Sequence, residues 1–96
     1  MRPKDRKDIF SDMIYVEAKG NFIEIHTSSK KFITWFTFKG IEEKLPPGMF
    51  VRIHKSYIIA LGYIKSIYGN SVDMQNATLP IGINYKEKVM NFIIRK

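Results

Sequence analysis

The stretch FVRIHKSYIIA, residues 50 to 60, sets Arg52, His54, Lys55 and Ser56 among Val51, Ile53, Tyr57, Ile58 and Ile59. Apolar residues on both sides mark extended chain packed into a core, with polar groups of four kinds gathered where it turns. Three uses compete for such a place: the rim of an active site, a surface for a polyanion, or an ordinary strand end.

The elements expected around this stretch are short. Residues 13–17 and 22–27 read as strands, because β-branched and aromatic residues flank a turn at Lys19, Gly20 and Asn21. A polar turn at residues 28–31 leads to a third strand at 32–36, and the three form a meander. Thr37 is placed to cap a short helix with Phe38, Ile41 and Leu45 inward, stopped by Pro46, Pro47 and Gly48. Gly40 inside that helix costs about 1 kcal/mol relative to alanine, so tertiary packing must hold it. Strands at residues 63–68, 71–74 and 78–81 follow, joined by tight turns at Gly69-Asn70 and Gln75-Asn76. Tyr85, Val89, Phe92 and Ile93 recur at helical spacing, with Asn84 and Glu87 as a capping pair for a final helix at residues 84–95. The fold class is mostly β: short antiparallel strands, one short central helix and a C-terminal helix. Ninety-six residues suit one domain, read here as 8–96 behind a flexible basic start at 1–7.

Composition removes several classes of function. The chain has no cysteine and two histidines, so a thiolate nucleophile, a disulfide and a conventional metal set are not expected, and no cofactor is called for. No apolar run reaches the ~18 residues of a membrane span, and the first residues lack a signal-peptide core, which points to a cytoplasmic protein with no membrane partner. Catalysis finds little support. His54 and Ser56 stand two apart, but no Gly-x-Ser-x-Gly elbow surrounds Ser56, Glu42 and Glu43 diverge on a helix, and the glycines are scattered. The chain is not expected to be an enzyme.

Charge favours a polyanion. Sixteen Lys and Arg stand against nine Asp and Glu, a net +7, and Lys19, Lys30, Lys31, Arg52, Lys55 and Lys86 fall at or near turns from which side chains reach outward. Lys55 offers a full charge to phosphate, and His54 and Ser56 add hydrogen-bonding groups. Asn21 and Asn84 are amides able to pair with adenine, although Asn21 could equally supply a left-handed turn residue and Asn84 a helix cap. Arg52 could bind phosphate on the same side as His54, or pair with a carboxylate such as Glu17 and position the loop. Phe22, Trp35, Phe36 and Tyr57 read as core or half-buried sheet rather than as base-stacking platforms.

Taken in order, residues 13–17 (Met-Ile-Tyr-Val-Glu), Gly20-Asn21-Phe22, a helix closing on Leu45-Pro46, Phe50-x-Arg52-x-His54-x-Ser56-Tyr57-Ile58 and Leu79-Pro80-Ile81 resemble the LytTR family of bacterial DNA-binding domains, over about residues 8–93. The resemblance implies the C-terminal output domain of a two-component response regulator, whose loops rather than a recognition helix enter double-stranded DNA. It implies contacts from Lys19, Gly20 and Asn21, from His54, Lys55 and Ser56, and from the segment Gly82 to Lys86. This chain departs from the family in two places. Many relatives have asparagine at Ala60, and many have Ser-Arg at Gly82-Ile83, so a base-reading arginine is missing from the third loop and Asn84 or Lys86 would substitute. A receiver domain in the full-length chain and paired occupancy of repeated half-sites follow from the same resemblance. The free domain is expected to be monomeric, since the sequence offers no heptad repeat and no large spare apolar face. The competing reading is a protein interaction module, or a regulator fragment, that binds an acidic partner.

Overall fold

The computed structural model describes residues 10–94. The basic start expected at residues 1–7, and Arg95 and Lys96, lie outside the described residues. Residues 10–12 are helical and lead into β1, Met13–Lys19. Then come β2 (Phe22–Thr27), β3 (Lys31–Thr34), α1 (Phe38–Lys44), β4 (Phe50–His54), β5 (Tyr57–Ala60), a 3-10 turn (Leu61–Tyr63), β6 (Ile64–Tyr68), β7 (Ser71–Met74), β8 (Thr78–Pro80) and α2 (Lys86–Ile94).

Two antiparallel sheets result, one of five strands in the order β3-β2-β1-β5-β4 and one of three in the order β6-β7-β8. The five-stranded sheet is the middle layer. Val16, Ile23, Phe50, Ile58 and Ala60 face one way and pack with Phe38, Ile41 and Leu45 of the α1 region. Tyr15, Val51, Ile53 and Ile59 face the other way, onto Val72, Met74 and Leu79 of the smaller sheet, Ile81 after it, and Val89 of α2. Val16, Ile53, Ile59, Val72 and Val89 are wholly shielded from water, and burial of each such side chain contributes about 1.5–3 kcal/mol.

The expected meander is present as β1, β2 and β3, and the β1–β2 and β6–β7 connections are two-residue turns with Gly20 and Gly69 at positive φ. Thr37 caps α1, its Oγ1 accepting the Gly40 N–H at 2.9 Å. Gly40 belongs there for a steric reason, because a Cβ would lie 2.8 Å from that hydroxyl oxygen. Past α1 a tight turn reverses the chain, with the Met49 N–H bonded to the Pro46 carbonyl and Gly48 at φ 92°.

Three expectations need correction. β3 ends at Thr34, so Trp35 and Phe36 lie beyond it; Trp35 is 75% exposed and Phe36 is also open, not buried in a sheet. β3 is an edge strand on which Phe32 and Ile33 are exposed, with the Lys30 ammonium 5.1 Å from the Phe32 ring centroid, so the premise that the domain lacks a spare apolar face fails as well. Finally, α2 begins at Lys86 rather than Asn84. The Val89 N–H bonds the Tyr85 carbonyl, which puts Tyr85 at the cap and leaves Asn84 and Glu87 out of register for mutual capping.

Candidate nucleic-acid interface

The β4–β5 turn, Lys55-Ser56, is built without glycine, and neither residue takes a positive φ. Such a two-residue connection mismatches the twist of its strands, and the structure accommodates it with a bulge. Arg52 pairs with Ile58 and His54 with Tyr57, leaving Ile53 as the extra residue. The bulge also resolves where Arg52 goes. Ile58 and Tyr57 point to opposite faces of β5, so Arg52 and His54 do too, and the expectation that they share a side is overturned.

Arg52 leans toward α1. Its NH1 donates to Glu42 Oε1 at 2.9 Å, its Nε to the His54 carbonyl at 3.2 Å and its NH2 to the Lys55 carbonyl at 2.8 Å. The guanidinium lies over Phe38, 4.8 Å from the ring centroid, with Tyr85 at 5.5 Å. Of the two roles open to Arg52, the geometry displays the positioning one, with Glu42 rather than Glu17 as partner. The planar fork holds two successive carbonyls and a carboxylate at once, which a lysine would not do. Glu42 was missed by sequence reasoning, since nothing local connects a helix carboxylate to a strand ten residues on.

His54 closes the turn from inside. Its Nδ1 accepts the Ser56 N–H at 3.1 Å, so the proton of the neutral ring resides on Nε2, a donor. The same bond removes the formal Ser-His couple, because His54 meets the backbone of Ser56 and not its hydroxyl. The ring sits 5.5 Å from Tyr57, whose hydroxyl donates to Glu17 Oε2 at 3.2 Å. That hydrogen bond, together with burial and the Glu17 charge, raises the Tyr57 pKa above its ordinary value; burial is the largest cause. Lys55 projects from the tip, exposed.

Two other candidate segments are tied to this turn through the main chain. The Ala18 N–H donates to the Ser56 carbonyl at 2.9 Å, holding the end of β1, and with it Lys19 and Asn21, beside the turn. The Gly82 N–H donates to the Ile53 carbonyl at 2.7 Å. A Cβ at Gly82 would approach Tyr85 to 3.1 Å and His54 to 3.5 Å, so a small residue permits this close approach. Lys19 is exposed, with its Nζ 3.8 Å from Glu17 Oε2. Asn21 is exposed, has no positive φ and makes no hydrogen bond among the described residues, so supplying a left-handed turn conformation is not its role.

The third segment is less uniform. Ile83, 88% exposed, occupies its outermost place. Asn84 lies along a groove of about 730 Å³ with Glu87, Lys88, Asn91 and Phe92. Lys86 is half-buried, and its Nζ donates to Asn70 Oδ1 at 2.8 Å, tying α2 to the β6–β7 turn. The structure therefore brings Lys19, Asn21, His54, Lys55 and Ser56 together, puts Arg52 behind them, and gives Lys86 a partner within the fold.

An antiparallel β platform that gathers the basic β4–β5 turn and the amide-bearing β1–β2 turn belongs to the class of loop-presenting domains. The chain matches the LytTr DNA-binding domain model over residues 8–93. It belongs to that LytTR family. The LytTr DNA-binding domain of a putative methyl-accepting/DNA response regulator from Bacillus cereus has the same fold, with a TM-score of 0.82 and 24% identity over 88% of this chain and 83% of that one. Among curated relatives, the CO-responsive transcriptional regulator RcoM of Rhodospirillum rubrum is 33% identical over 56% of this chain and 23% of its own length. The transcriptional regulatory protein LytR of Staphylococcus aureus is 34% identical over 58% and 23%. The sensory transduction protein LytT of Bacillus subtilis is 24% identical over 85% and 36%. The chain thus spans about a quarter to a third of the length of these relatives.

Proposed function

We propose that this domain binds double-stranded DNA sequence-specifically, by loops entering the grooves, as the cytoplasmic and non-catalytic output domain of a bacterial response regulator. The single observation that carries the reading is the main-chain tethering of Ala18 and Gly82 to residues 53–56, which makes one platform of segments that are distant in sequence. Phosphate contacts position such a platform and base edges specify the site. Lys19 and Lys55 are assigned to phosphate, and Asn21, His54 and Ser56 to base edges or sugar-phosphate. Arg52 fixes the β4–β5 turn. Asn84 flanks the platform, and Lys86 reaches DNA only by leaving Asn70. A receiver domain elsewhere in the full-length chain would pair two such domains on repeated half-sites, the free domain being monomeric with its net +7 opposing self-association.

The test is the salt dependence of duplex binding. Log affinity should fall linearly with log salt, by about 0.9 per phosphate neutralised. Lys55→Ala should weaken binding to all duplexes by a similar factor and lower that slope by about one phosphate unit. An unchanged slope removes Lys55 from the interface. A protein-binding reading draws on the exposed Phe32, Ile33, Trp35 and Phe36, but these lie at the β3 edge, separated by β2 and β1 from the β4–β5 hairpin. A contact there would accompany DNA binding rather than replace it.

A further inference from the structure

On the face of the large sheet that carries Tyr15 and Tyr57, β1 and β2 set Glu17 directly opposite Glu24, and Tyr15 opposite His26. Like charges across a strand pair are destabilising, and Glu24 is buried. The His26 ring stacks on Tyr15, centroids 4.1 Å apart and planes at 11°, which fixes its orientation. Its Nε2 is shielded from solvent and has no hydrogen-bond partner among the described residues. Yet Glu24 Oε1 lies 3.3 Å away and Glu17 Oε1 3.8 Å away. A ring N–H here is misdirected, and a bare lone pair would face two carboxylate oxygens.

We infer that Glu17, Glu24 and His26 form a binding site for a divalent transition metal, with zinc the best fit. The three ligand atoms all lie within 4.8 Å of one another. At ordinary Zn–N and Zn–O bond lengths the edges of a coordination tetrahedron measure about 3.3–3.6 Å, close to both His26 separations and too long for good hydrogen bonds. The other carboxylate oxygens are already held from outside: Glu17 Oε2 accepts from Tyr57 OH at 3.2 Å and lies 3.8 Å from Lys19 Nζ, while Glu24 Oε2 lies 3.8 Å from Lys31 Nζ. Outer partners of this kind orient ligands and leave Oε1, Oε1 and Nε2 converging. Imidazole suits zinc, copper and nickel, whereas magnesium and calcium select oxygen-only sets. Glu24 and His26 stand two apart on β2 and share a face, but a pair is not a metal set, and the third ligand, Glu17, joins them only through the β1–β2 register.

The experiment is titration of the chelator-stripped 96-residue chain with Co²⁺, read by its visible absorption, followed by displacement with Zn²⁺. One ion per chain is expected, with the intense bands of four-coordinate cobalt and a zinc-dependent rise in melting temperature. His26→Gln and Glu24→Gln should each cut affinity by more than about tenfold with the far-UV circular dichroism unchanged, and Tyr57→Phe by about tenfold through loss of the outer bond. If the ligand variants unfold, Tyr57→Phe carries the test by itself. Absence of saturable uptake, or uptake undiminished in a folded His26→Gln or in Tyr57→Phe, overturns the site.

Discussion

Gly20-Asn21 closes β1 onto β2, and Gly69-Asn70 closes β6 onto β7, each with its glycine at positive φ, 67° in the first and 61° in the second. The two turns share a dipeptide and a backbone, yet the asparagines have opposite fates. Asn70 is bound into the fold: its Oδ1 accepts from Lys86 Nζ and its carbonyl accepts the Ile81 N–H at 2.7 Å. Asn21 has no such bonds among the described residues and stands exposed at the end of the strand that Ser56 anchors through Ala18. Identical turn chemistry therefore serves once for holding the domain together and once for presenting an amide outward. The Lys55-Ser56 turn is a third case, with no glycine to shape it and Arg52 bracing it from behind.

The largest effect should come from that third turn. Arg52→Ala removes two charge-assisted bonds to carbonyls and the packing on Phe38, and should lower unfolding free energy by about 2–4 kcal/mol in urea denaturation. It should leave the salt slope of DNA binding unchanged. A slope reduced by one phosphate unit would make Arg52 a contact and dissolve the distinction between a brace and a reader.

Next in size is the contrast between the asparagines. Asn21→Ala should cost about 1–3 kcal/mol in affinity for the preferred duplex and relax preference at one base position, with stability untouched. Asn70→Ala, which frees Lys86, should leave base preference unchanged. Competition binding against randomised duplexes distinguishes them, and equal behaviour of the two variants would break the comparison.

The smallest effect tests what the turns have in common. A Cβ at Gly20 or at Gly69 would meet nothing within 4 Å, so Gly→Ala at either place probes the left-handed backbone alone. Each should cost about 1–2 kcal/mol, by the same amount within error. Unequal costs would show that the backbones differ despite their matching dipeptides.

Local chemistry made much of this legible in the sequence. The Gly-Asn turns, the Thr37 cap and the Pro-Pro-Gly stop each depend on residues within one turn of the chain, and each stands where those residues put it. The readings that failed depended on distance. No residue type announces the bulge at Ile53, which turns Arg52 away from His54, and nothing near Arg52 in sequence names Glu42. Composition suits Trp35 and Phe36 to a sheet, but β3 ends before them and both are exposed. Of the candidate contacts, those on the two hairpins are brought together, while Lys86 is turned toward Asn70 by the packing of α2.

Phe32, Ile33, Trp35 and Phe36 leave β3 as an exposed apolar rim without proline or bulge, the kind of edge that attracts another strand. Free domains carrying +7 apiece repel one another as charged particles in suspension do, over a range of about 8 Å at physiological ionic strength. A duplex seated on the loops neutralises part of that charge while leaving the rim bare. In colloidal terms, the ligand would titrate away part of the stabiliser of the suspension, so domains brought together along one polyanion would lose part of the barrier that keeps dissolved ones apart.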